Sequence, residues 1–190
     1  GEKTGVLFEL SREISVDTLM HTLNDGMLFL GIKLHPEVAP YKEGSKTTFS
    51  LQVPRGKAII TVNDLKTLHN TGGPVVFLGK WNTTATTISN SSPSEITGLD
   101  LTSENVVRII NRGSGKISGI IRQAETVAVT GQSRGDINLT VDQVGELSVH
   151  NLATGRIHIQ GTADSVSVPK SDNEKIDLTH LKIVKKSAGK

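Results

Sequence analysis

Among the side chains able to do chemistry, the chain offers six histidines, 19 carboxylates, 21 lysines and arginines, and no cysteine. The histidines are scattered; only His150 and His158 lie close in sequence, both at the outward parity of alternating segments. That spacing does not predict a zinc site, and the missing thiols remove both thiolate ligands and disulfides. No H-E-x-x-H, G-x-S-x-G, phosphate-binding loop or G-x-G-x-x-G with a following acid occurs. Gly113-Ser114-Gly115 starts like a phosphate loop, but no helical pattern follows it. The G-G-x-G-x-D calcium repeat is also missing. The expectation is therefore no cofactor, no metal and no enzymatic activity. General acid and base work needs groups that converge in a desolvated pocket, and here the titratable residues fall into regularly spaced outward positions.

Two places suit binding without transformation. Phe77, Lys80 and Trp81 form an aromatic and basic cluster, since an exposed tryptophan beside a lysine makes a common contact patch. The alternative for Trp81 is packing against the N-terminal region. Arg112 and Arg134 recur one per repeat on a turn and could hold an anionic polymer. All six aromatic residues lie at or before Trp81. The remainder of the chain thus has no stacking platform for bases, and nucleic acid is not expected as a partner.

The elements that must position these residues follow from an internal repeat. Gly115-Lys116-Ile117, Gly135-Asp136-Ile137 and Gly155-Arg156-Ile157 recur every 20 residues, with Gly145-Glu146-Leu147 halfway between two of them. Leu68, Ile88, Ile109, Val129 and Val149 form a column at steps of 20 or 21. Two residues on stand Asn70, Asn90, Asn111, Gly131 and Asn151, and a third column runs Val75, Ile96, Ile117, Ile137 and Ile157, with a partial unit at Val168 and Ile176. Within each unit the apolar residues alternate, as in Ile137-Asn138-Leu139 and Leu147-Ser148-Val149, the period of strands with one buried face. A unit of two short strands cannot bury that face alone, but stacked units enclose a continuous aliphatic interior. The predicted fold is all-β: a β-solenoid, β-helix-like, of about six coils of about 20 residues.

The asparagine column predicts a ladder in which each amide bonds to those of the coils above and below, interrupted at Gly131. Glu95, Lys116, Asp136, Arg156 and Lys175 make a solvent-facing column that alternates in sign over its first four members, which suits register-setting rather than catalysis.

Before the repeats, Val6, Phe8 and Leu10 alternate as a strand. Leu19, Met20 and Leu23 within 15–24 predict a short helix, and Met27–Leu34 a second strand. His35–Lys46 reads as a polar loop, and 47–53 with 57–62 as a strand pair across Pro54-Arg55-Gly56. The expected domains are a small α/β cap over 1–46, the solenoid over 47–180 and a basic tail over 181–190. The cap, Pro169 and the terminal lysines would shield the strand edges. No stretch is long and apolar enough for a membrane span. Nor is there a basic and hydrophobic leader at Gly1, which fits a signal already removed.

The Gly113-to-Ile117, Ser133-to-Asn138 and Ala153-to-Ile157 segments, with the looser Asn70-to-Val75, resemble the head GIN domain, a family of bacterial envelope or secreted β-solenoids described as auto-transporter adhesins. The resemblance covers about 47–180. It implies a periplasmic, cell-surface or secreted location, adhesin-like binding of a host-surface or envelope glycan or protein, and no catalytic residues. Two other solenoid classes compete. Bactofilin-like scaffolds share the Gly-apolar pulses and polymerise end to end, whereas the cap and Pro169 favour a monomer. Pectate-lyase-like enzymes set clustered Asp, Lys and Arg beside aromatic sugar platforms, and no aromatic follows Trp81.

Overall fold

The computed structural model describes residues 5–10, 19–24, 27–32, 41–43, 46–48, 56–61, 65–71, 76–170 and 175–184, with backbone alone before residue 62. The chain divides into two compact units, Gly1–Val62 and Asn63–Lys190.

In the first unit every described element is a strand: β1 (Gly5–Leu10), β2 (Leu19–Asn24), β3 (Met27–Ile32), β4 (Tyr41–Glu43), β5 (Lys46–Thr48) and β6 (Gly56–Thr61). They pair antiparallel as β1 with β6, β2 with β3 and β4 with β5. This corrects three expectations. Where a helix is predicted over 15–24, residues 19–24 are β2; 15–18 lie outside the described residues. The register joins Asn24 to Met27, leaving Asp25-Gly26 between them, and Asp-Gly between apolar runs is a strong hairpin signal. The predicted loop over 35–46 contains β4. Of the strand pair expected across Pro54, the described residues pair elsewhere, β5 with β4 and β6 with β1, and 49–55 lie outside the described residues.

The second unit is the solenoid. Its strands are β7 (Thr67–Asn70), β8 (Val76–Thr83), β9 (Thr86–Asn90), β10 (Ile96–Ser103), β11 (Val106–Asn111), β12 (Ile117–Gly131), β13 (Ile137–Asn151), β14 (Ile157–Ser167), β15 (Ile176–Asp177) and β16 (Leu181–Ile183). All are parallel, and they wind through about five turns. One wall runs β8, β10 and the first halves of β12, β13 and β14, then β15 and β16; the other runs β7, β9, β11 and the second halves of β12, β13 and β14. The parallel coils thus begin at Thr67, 20 residues beyond the expected start, since the strands over 46–61 pair antiparallel within the first unit. At the other end, 181–183 of the expected tail are a solenoid strand. The two strands expected per unit fuse in β12 and β13 into continuous 15-residue strands.

Register proves the columns. Leu68, Ile88, Ile109, Val129 and Val149 stack in direct succession, as do Asn70, Asn90, Asn111, Gly131 and Asn151. The third column is headed by Val76, paired with Ile96; Val75 lies outside the described residues. It continues through Ile117, Ile137 and Ile157 to Ile176. In β13 the buried aliphatic positions are Ile137, Leu139, Val141, Val144, Leu147 and Val149, with buried Asn151 closing the strand. Steps of two hold each flat wall, and the steps of three from Val141 to Val144 and Val144 to Leu147 carry the bend, where Gln143 takes a positive φ of 52°. Among the described residues the buried hydrophobic core consists of Ile, Leu, Val and Ala, and full burial of each large aliphatic contributes about 1.5–3 kcal/mol.

The corner after the asparagine column brings backbones closer than any side chain permits. A Cβ at Gly115 would lie 2.0 Å from the Ser94 carbonyl oxygen, one at Gly135 2.3 Å from that of Gly115, and one at Gly155 2.4 Å from that of Gly135. Gly113-Ser114-Gly115 is therefore a stacked corner.

The asparagines brace those corners and do not form the predicted ladder. Nδ2 of Asn90, Asn111 and Asn151 donates to the carbonyls of Ser94, Gly115 and Gly155, at 2.9, 2.8 and 2.7 Å. The amide oxygens accept from the N–H two residues on: Ser92, Gly113 and Ala153, at 3.3, 3.3 and 3.4 Å. A tight corner turns one N–H and one C=O inward, and a buried amide satisfies both at once, which outweighs bonding to its own kind. At the first step Asn70 does donate to Asn90 in ladder fashion, at 3.1 Å. Where Gly131 interrupts the column, Asn111 Nδ2 also reaches the Asp136 carbonyl of the next coil at 3.3 Å.

Candidate functional site

The corner is also the ridge on which the predicted arginines stand. Backbone bonds from Ser91 to Asn70, Arg112 to Asn90, Gln132 to Asn111 and Leu152 to Gly131 stack Ser91, Arg112, Gln132 and Leu152 coil on coil. Arg112 is engaged along this line: its Nε donates to Gln132 Oε1 at 2.9 Å and its guanidinium nitrogen to Ser89 Oγ at 3.3 Å. Arg134, two positions beyond Gln132, is exposed and has no side-chain partner among the described residues. Leu152 is 64% exposed beside them.

Glu95, Lys116, Asp136 and Arg156 stand one beside the next. Their carbonyls accept from Val76, Ile96, Ile117 and Ile137, each one coil before, at 2.9–3.0 Å. Asp136 uses a carboxylate oxygen to accept the Arg156 N–H at 2.8 Å. With the Asn138 amide turned to satisfy both its ends, its oxygen accepts from Lys116 Nζ at 3.0 Å. The guanidinium of Arg156 is exposed and, like that of Arg134, free of partners among the described residues. Among the described residues, the corner therefore presents two unengaged guanidiniums from adjacent coils. Planar guanidinium forks match carboxylate and sulfate oxygens.

At the other predicted place, Lys80 is exposed and Trp81 half-buried. Trp81 packs against the aliphatic core, and its indole N–H donates to the Leu78 carbonyl, so this ring is turned to packing. The Phe77 side chain lies outside the described residues; its backbone pairs with Thr97 on the wall.

Two polar clusters on the same wall escaped sequence reading. Arg122 grips Asp100 with both arms, at 2.6 and 3.0 Å, holding the Asp100 carboxyl below and its own pKa above their ordinary values. Lys80 and Asp142 continue the alternation, since each acts on this pair through its charge. Further along, His158 Nδ1 lies 2.9 Å from Asp177 Oδ2, with the His180 ring edge-on at 6.4 Å. Asp177 also accepts the Thr179 N–H at 3.0 Å and its hydroxyl at 2.7 Å; these bonds, followed by that of His158, lower its pKa to about 2. A signal existed, since Lys80 and Asp100, and Arg122 and Asp142, are each one repeat apart.

No helix among the described residues is long and apolar enough to cross a membrane. No family model matches this chain, nor does any curated protein or solved structure.

Proposed function

We propose that the chain is a non-enzymatic, adhesin-like binding module of a bacterial envelope or secreted protein, and that its ligand is an acidic polymer laid along the corner ridge. The observation that supports this reading is the pair of exposed guanidiniums of Arg134 and Arg156 on successive coils, neither engaged among the described residues. Coils repeat at about 4.8 Å, so a polymer that carries several carboxylates or sulfates can meet both guanidiniums, which stand on adjacent coils. Arg112, engaged by Gln132 on the adjacent coil, adds a third positive charge to the same corner region. The envelope or secreted location rests on the resemblance of the Gly-x-Ile corners to head GIN domains.

Arrayed acidic and neutral glycans test this reading. The wild type should bind sulfated or uronate-rich glycans and lose them on raising salt, and Arg134→Glu with Arg156→Glu should abolish binding while leaving the β-sheet circular dichroism unchanged. Equal binding by wild type and variant would refute the ridge. Release of reducing ends or unsaturated products from an acidic polysaccharide would instead make the protein an enzyme.

A further inference from the structure

The histidine that meets His158 is not the one nearest in sequence. His150 stands on the other wall, paired with Thr130 near the end of β13, whereas the last coil sets His180 against His158, with ring centres 6.4 Å apart and planes at 70°. Backbone bonds fix the place of each. His158 lies in β14 in direct register with Asp177 of β15. Beyond it the Thr179 N–H and hydroxyl donate to Asp177, the Leu181 N–H donates to the Leu178 carbonyl at 3.0 Å, and the His180 carbonyl accepts the Gly161 N–H at 3.1 Å. His180 is thus carried on a closed turn with its ring exposed, beside a half-buried His158.

Asp177 decides which nitrogen of His158 is available. Its carboxyl, held ionised down to about 2, can only accept, so in the neutral ring Nδ1, 2.9 Å away, carries the proton and Nε2 keeps its lone pair. A carboxylate behind a ring in this way is the usual second shell of a metal-ligating histidine, where it sets the tautomer and raises the basicity of the free nitrogen. We propose that His158 Nε2 and a ring nitrogen of His180 together hold a divalent transition-metal ion of the kind imidazole prefers, zinc or copper, with Asp177 orienting His158 from behind. Bonds of about 2.0–2.1 Å put such an ion about 3 Å from each ring centre, so rings that share it stand up to about 6 Å apart. The observed separation is at that limit, and the exposed His180 ring, with no side-chain bond among the described residues, has only to turn slightly to close it. Two protein ligands leave the other positions of the ion to water or to oxygens of a bound molecule. Because the rings belong to successive coils, the ion would also clasp the short β15 and β16 to β14. This inference stands apart from the ligand reading, which concerns the arginine corner.

Nuclear magnetic resonance of the full chain during titration with zinc chloride tests it. The ring signals of His158 and His180 should shift together at one zinc concentration, and amide exchange over Leu181–Ile183 should slow as the ion binds. His158→Ala and His180→Ala should each weaken zinc binding, read at the Thr179 amide, by at least about tenfold, and Asp177→Asn by about tenfold. His69→Ala should leave it unchanged. The His180 side chain lies in solvent, so His180→Ala with unchanged circular dichroism keeps the test open should His158→Ala misfold. No binding into the millimolar range, binding that leaves either ring signal unmoved, or full affinity in His180→Ala would each overturn the proposal.

Discussion

Asn111 has no exposed surface, and it closes its corner by donating to the Gly115 carbonyl and accepting from the Gly113 N–H. Asn111→Ala leaves both groups buried without a partner, so chemical denaturation should show a loss of about 1–3 kcal/mol. Gly135→Ala places a methyl 2.3 Å from one carbonyl oxygen and 2.5 Å from another, both backbone, and should cost several kcal/mol or prevent folding. The exposed neighbour behaves otherwise: Asp136→Lys gives up one bond to the Arg156 N–H in open solvent and should cost under about 1 kcal/mol. Asp177 carries the acid response of the last turn. Its carboxyl is held at about 2 against an ordinary 3.8, so the stabilisation is complete above the ordinary value and is lost as pH falls through about 2. Amide exchange of Thr179 should accelerate in that window, and Asp177→Asn should remove the dependence. The corner glycines are legible as a motif in the sequence. The direction of the asparagine amides is not, because it depends on which backbone groups the corner turns inward.

At the scale of elements, the solenoid strands are legible because one period of 20 residues recurs with three columns in step. The first unit has no such repetition. Leu19 and Leu23 sit four apart, which suits a helical face and a strand face alike, and the Asp-Gly sequence at 25–26, a hairpin signal between apolar runs, is what distinguishes the two. Alternation over 57–61 announces a strand but not its partner, and for that reason the start of the parallel coils moves from 47 to Thr67. The columns differ in what they bear. Ile109 has no exposed surface, with Ile88 on one side and Val129 on the other. Ile109→Ala should therefore cost about 2–5 kcal/mol. β15 and β16 are two and three residues long. Hydrogen exchange should find them opening well before β12 and β13, since local opening follows how little a segment buries.

For the molecule as a whole, the surface derives from stacking. The ridge with Arg134 and Arg156, the alternation of Lys80, Asp100, Arg122 and Asp142, and the pairing of His158 with His180 all exist only if successive coils lie in parallel register. Sequence periodicity carried the columns but not the ligand, because ladders of exposed side chains serve register and recognition with the same residue types. The chain has no cysteine, so register can be read by introducing two. Ser148 and Ser167 are direct partners on β13 and β14, on the outward parity of the wall. Parallel neighbours lie about 4.8 Å apart, inside the Cα range of about 4.4–6.8 Å that a disulfide spans. Oxidation of Ser148→Cys/Ser167→Cys should give an intramolecular bond quantitatively at low protein concentration, while Ala128→Cys/Ser167→Cys, two coils apart, should stay reduced. Free thiols in the first variant, or an intramolecular bond in the second, would contradict the stacked solenoid and every surface assignment built on it.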